Sequence, residues 1–195
     1  MTEDRESSID QHFFEKVAQT IGGDVTADRV SSFLKNATEK GLLFRGIKSR
    51  KRSEQAIKEG VLPSAPDGGK MASWWAFGPH IFAYPSSMTQ GMFGLDTPFF
   101  HYSHWNDGIE LGFSLAITSK NNVSNHGYIE HTGQAQLTVP LEPQIVQFIQ
   151  IVKPLAHTSE LSRITGQTLE QKAFGLMEKV AEEGPKFGTV IRATA

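Results

Sequence analysis

The sequence predicts an α+β protein. Two amphipathic helical segments open the chain, short strand-like apolar runs fill residues 42–152, and one further helical pattern lies near the C-terminus. At 195 residues the chain suffices for one sizeable hydrophobic core. We read 1–195 as a single domain: a helical N-terminal layer at 1–40, a core at 42–152, and a C-terminal helix and tail at 153–195.

Ser8 or Asp10 can cap the first helix, whose apolar stripe is Phe13, Phe14, Val17, Ala18 and Ile21 before Gly22-Gly23 stops it. A second helix starts at Thr26, where Val30, Phe33, Leu34 and Ala37 keep the helical period, and ends at Lys40-Gly41. Leu42-Leu43-Phe44 enters a strand ending at Arg45-Gly46. A basic loop with Lys48, Arg50, Lys51 and Arg52 follows, and Ser53 caps a short helix closed by Gly60.

Ser73 to Gly78 precedes an expected strand at His80 to Tyr84. Ile109 to Thr118 and Gln134 to Val139 are further strands, joined by a polar connection, and the later part of Ile145 to Val152 is another. Thr168 and Gln171 form a capping pair for a helix reaching about Glu182. Phe187 to Ile191 either returns as a terminal strand or packs as a tail.

Composition sets bounds on function. A formal net charge of −2 gives no bulk attraction to nucleic acid or anionic membrane, and the absence of cysteine excludes disulfides, thiolate chemistry and sulfur-ligated metals. No run approaches the roughly 18 apolar residues of a membrane span. Met1 to Asp10 is acidic and polar where a secretory signal would be basic and then apolar, so a cytoplasmic protein is expected. His80, His101, His104, His126 and His131, with Asp107, do not form a zinc-hydrolase signature, and no metal is expected.

Residues 73–105 hold ten of the nineteen aromatic residues, broken by Gly, Pro, His and Asp. Regular elements do not account for such a segment, and its rings argue against disorder. A folded flap that closes a pocket or packs as a satellite core is the reading.

The succession Leu43-Phe44-Arg45-Gly46, Ala56-Ile57-Lys58-Glu59-Gly60-Val61-Leu62-Pro63, Ile81-Phe82-Ala83-Tyr84 and Gln134-Ala135-Gln136-Leu137-Thr138-Val139-Pro140 resembles the ADP-ribosyltransferase superfamily. It is most similar to the branches that hold DNA-modifying toxins and RNA 2′-phosphotransferases. The resemblance implies a small, split, mixed β-sheet that clamps the nicotinamide end of NAD, here with two extra N-terminal helices. NAD would be the substrate, its ADP-ribose passing to a protein, nucleic-acid or small-molecule acceptor.

The resemblance implies that Arg45, on the first core strand, holds the dinucleotide, and that Tyr84 supports the nicotinamide ribose. Gln136 stands where the family places a carboxylate. A neutral Gln can bond a ribose hydroxyl but cannot stabilise a developing cationic sugar as a carboxylate would. Either Glu130 or Glu110 supplies the charge, the acceptor chemistry differs, or the fold binds a nucleotide without transferring anything. Gly46 allows close backbone approach beside Arg45, Trp74 and Phe93 are candidate stacking rings, and His80 is a candidate hydrogen-bond donor. The competing reading is a non-catalytic nucleotide- or protein-binding module, with a His-dependent metal hydrolase third.

Overall fold

The computed structural model describes residues 11–47, 50–63, 72–83, 110–157 and 163–195. The chain is α+β. Helices α1 (Gln11–Ile21) and α2 (Ala27–Glu39) lead into strand β1 (Leu42–Gly46), helix α3 (Arg50–Glu59), strand β2 (Ser73–Ala76) and the short helix α4 (His80–Ala83). Strands β3 (Glu110–Ser119), β4 (Ile129–His131), β5 (Gln134–Leu137) and β6 (Gln147–Pro154) follow, then helix α5 (Arg163–Glu183) and strand β7 (Val190–Thr194).

The seven strands make one mixed sheet in the order β4-β5-β2-β1-β3-β6-β7. All neighbours are antiparallel except β6 and β7, which run parallel with α5 as the crossover between them. Strand alternation divides the apolar side chains between two cores. Leu42, Phe44, Leu115, Ile117, Ile149 and Ile151 face α1, α2, α4 and α5, where Phe33 makes edge contacts with Phe44, Phe82 and Phe174. Leu43, Trp75, Ala116, Ala135, Leu137 and Phe148 face the other way, toward Ala56 of α3.

The N-terminal helices therefore contribute Val17, Ile21, Val30, Phe33 and Leu34 to a core they share with the strands. Thr26 caps α2 as its position predicts, its Oγ1 accepting from Arg29 N at 3.3 Å. Arg29 is clamped to Glu178 of α5 through two hydrogen bonds of 3.0 and 2.7 Å. That carboxylate holds the guanidinium protonated well beyond its ordinary range.

Several elements differ from the sequence expectation. His80 to Ala83 is a helical turn rather than a strand. The strand is Ser73–Ala76, and Gly78, at a φ of 57°, with Pro79 ends it and folds the next four residues back through Ile81 N to Gly78 O. α3 starts at Arg50, so Ser53 is an interior helix residue and not a cap, its side chain fully buried. α5 starts at Arg163, and Gln171 donates to Ile21 O at 3.1 Å instead of closing a capping box with Thr168. Strand β4 was not anticipated, and the C-terminal segment is a strand. Ser8, Asp10, Lys48, Tyr84 and all of 84–109 lie outside the described residues.

Candidate functional site at the seam of the sheet

The sheet is continuous rather than split, yet one junction in it is thin. β1 is laddered to β3 through five residue pairs but meets β2 at Phe44↔Ala76 alone. Two long cations cross this seam on either side of that pair. At the Gly46 end, Arg45 Nη1 donates to the carbonyl oxygen of Trp74 at 3.0 Å, so an arginine side chain serves a strand carbonyl at the seam. At the Leu42 end, Lys120 follows β3 and places Nζ 3.9 Å from the centre of the Phe77 ring and 2.9 Å from Glu130 of β4.

Arg45 and Gln136 do not share a face of the sheet. Phe44 is in register with Ala76, and Trp74 with Gln136, so Gln136 lies on the face of Phe44 and Ala76 while Arg45, one residue on, lies on the other. What the two residues have in common is Trp74. Its carbonyl takes the Arg45 guanidinium, and its Cα is the register partner of Gln136. Gly46 ends β1, paired with Leu115.

Neither candidate carboxylate stands beside Gln136. Glu130 pairs across the ladder with Ala135 and so belongs to the opposite face from Gln136. It is exposed, ion-paired to Lys120, and accepts a hydrogen bond from the Tyr128 phenol. That phenol, with help from Lys120, holds the Glu130 carboxyl below its ordinary value. Burial first, and the hydrogen bond to Glu130 second, push the Tyr128 phenol up, so it stays a donor. Glu110 opens β3 and is bonded to Arg50 Nη1 at 2.6 Å. Both acids have structural partners, Glu130 on the face away from Gln136 and Glu110 on β3, with β2 and β1 between it and β5.

His80 opens α4 and lays its ring on the β4–β5 turn. Trp74 is half-buried and stacks on His131 with ring centres 5.3 Å apart at 35°. Tyr84 and Phe93 lie outside the described residues. Among the described residues no three His, Asp or Glu side chains converge in a way that could hold a metal, and no helix is long and apolar enough to cross a membrane.

Sequence reasoning gave no role to Lys120, Tyr128 or Gln134, and took Phe77 as a candidate stacking ring rather than the seat of a lysine. The hairpin carried a usable signal. His131-Thr132-Gly133-Gln134 has the form of a two-residue turn, which sets His131 opposite Gln134 and therefore Glu130 on the face away from Gln136. Also unforeseen is a polar network under α3. Ser53 Oγ and Ser114 Oγ lie 2.5 Å apart, and Gln150 Nε2 bonds Ser53 Oγ at 3.2 Å and Glu54 Oε1 at 2.8 Å. Gln150 Oε1 accepts from Arg192 Nε at 3.1 Å. Every member is engaged, so the network fixes α3 on the sheet.

Comparison with protein-family models, with curated proteins and with solved structures finds no match to this chain.

Proposed function

We propose that the chain is a nucleotide-binding module on an ADP-ribosyltransferase-like framework, with NAD the ligand the resemblance suggests. Gln136 would bond a hydroxyl or amide of the ligand, while Arg45, on the other face and bonded to the Trp74 carbonyl, would hold the seam rather than the ligand. The observation that carries this reading over transfer is the placement of the acids. Gln136 stands where the resemblance would put a carboxylate, Glu130 faces away from it in the Lys120 and Tyr128 cluster, and Glu110 is bonded to Arg50. A bound nucleotide would then meet a hydrogen-bonding amide rather than a charge able to favour a cationic sugar.

Transfer of ADP-ribose to an acceptor is the second reading. The meeting of β1, β2 and β5 around Trp74, whose carbonyl takes Arg45 and whose register partner on β5 is Gln136, favours it.

Calorimetry with NAD, alongside chromatographic detection of free nicotinamide after prolonged incubation, separates the two. The module binds NAD saturably, loses at least tenfold in affinity in Gln136→Ala, and releases no nicotinamide. Nicotinamide release by the wild-type chain would establish transfer or hydrolysis instead, and absence of NAD binding would overturn both readings.

A further inference from the structure

We infer that the face of β2, β5 and β4 carrying Trp74, His131, Gln134 and Gln136 reads an uncharged planar ring that presents a donor beside an acceptor, adenine being the ring of that kind in a dinucleotide. The inference rests on the nucleotide-binding reading above and adds to it the part of the ligand that is recognised and the residues that recognise it.

Ring geometry is the first support. β2 and β4 are separated by β5, which puts their backbones about 9–10 Å apart. The Trp74 and His131 rings nevertheless approach to 5.3 Å. Both rings must therefore lean inward over β5, giving a tilted aromatic shelf above Gln134 and Gln136. Trp74 is half-buried and His131 exposed, so the shelf is open to a planar partner.

The amides are the second and independent support. Gln134 and Gln136 are two residues apart on β5 and so project from the same face, about 7 Å apart. Both are half-buried, yet neither side chain has a hydrogen-bond partner among the described residues. Other buried or half-buried glutamines are all engaged: Gln147 with Thr189 and Lys186, Gln150 with Ser53, Glu54 and Arg192, and Gln171 with Ile21. Among the described residues, the two unbonded glutamine amides thus lie beside the Trp74–His131 ring pair.

Charge decides the ligand class. The neighbouring ionised groups, Glu130 and Lys120, pair with each other, and Glu130 lies on the opposite face. Ile129, in register with Gln136, is apolar. Among the described residues a phosphate would find no Lys or Arg on this face, whereas a neutral base finds stacking and two amides. A glutamine amide can meet the adjacent amine and ring nitrogen of adenine with both of its ends.

The test is titration of the full chain with AMP, inosine monophosphate, nicotinamide mononucleotide and ribose 5-phosphate. The wild type should bind AMP at least tenfold more tightly than inosine monophosphate, whose oxygen replaces the amine, and than ribose 5-phosphate. Gln134→Ala and Gln136→Ala should each narrow the AMP preference, and Trp74→Phe should preserve it. Arg45→Ala, on the opposite face of the sheet, should leave the AMP preference unchanged. Tightest binding of nicotinamide mononucleotide, lost in the same glutamine variants, would assign the shelf to the carboxamide ring instead of adenine. Equal affinity for AMP, inosine monophosphate and ribose 5-phosphate, with NAD still bound saturably, would overturn the inference while leaving the nucleotide-binding reading standing.

Discussion

The ammonium of Lys120 lies against the face of the Phe77 ring, 3.9 Å from its centre, and so ties the end of β3 to the end of β2 across the thinnest junction in the sheet. The same ammonium reaches Glu130 on β4 at 2.9 Å. Lys120→Met should cost about 1–2 kcal/mol, since a cation–π contact and a partly exposed ion pair are lost together. In urea unfolding, Glu130→Gln should cost less in the Lys120→Met background than in the wild type. Fully additive losses would show that the two side chains do not act as a unit.

The acid side of this cluster fixes a pH dependence. Glu130 is held below its ordinary value by the Tyr128 phenol and Lys120, so its contribution to stability is present above the ordinary carboxylate range and is lost as pH falls through the lowered value. The difference in melting temperature between wild type and Glu130→Gln should therefore be present at neutral pH and vanish at strongly acidic pH. Because Glu130 is exposed, the effect at neutral pH should stay within about 1 kcal/mol. A difference that grows on acidification would contradict the assigned hydrogen bonds.

Beneath α3, Ser53→Ala would leave Ser114 and Gln150 with lost partners in a site closed to water. Chemical denaturation should show a loss of about 1–3 kcal/mol. The double variant Ser53→Ala with Ser114→Ala should lose less than the sum of the single changes, because it removes both members of a bonded pair.

The β4–β5 turn offers a steric test. Gly133 has a φ of 71°, and a Cβ there would overlap the His80 imidazole. Gly133→Ala should cost roughly 1–3 kcal/mol from backbone strain together with the collision. Adding His80→Ala should recover part of that loss and not all of it, since the backbone penalty remains. Complete recovery would mean that the positive φ carries no cost.

Elements whose own residues carry the signal were legible. The apolar stripes of α1 and α2 repeat over three turns, and β3 and β6 are long enough for strand composition to stand out. His80 to Ala83 was misread because four residues are too few to show a period, and the decisive influence is the preceding Gly78-Pro79 turn. Ser53 looked like a cap because a serine before an apolar stretch has that form, whereas its hydroxyl is used by Ser114, sixty-one positions away. The polar character of Arg45 and Gln136 was visible, but their separation onto two faces depends on how β1, β2 and β5 align, which no local pattern encodes. Glu110 and Glu130 were chosen for their nearness to strands, and their cation partners come from α3 and from the turn after β3.

The central position of β1 has a consequence for the order of assembly. Its Leu42 must find Ser119 across more than seventy residues of intervening chain, a closure far more demanding than zipping the β4–β5 hairpin. The hairpin and the long β3–β6 ladder are expected to form early, with β1 threading into the waiting gap between β2 and β3 afterwards. The backbone amides around Phe44 and Ala76 should then be the earliest of the sheet interior to exchange with deuterated solvent, because what zips last also unzips first.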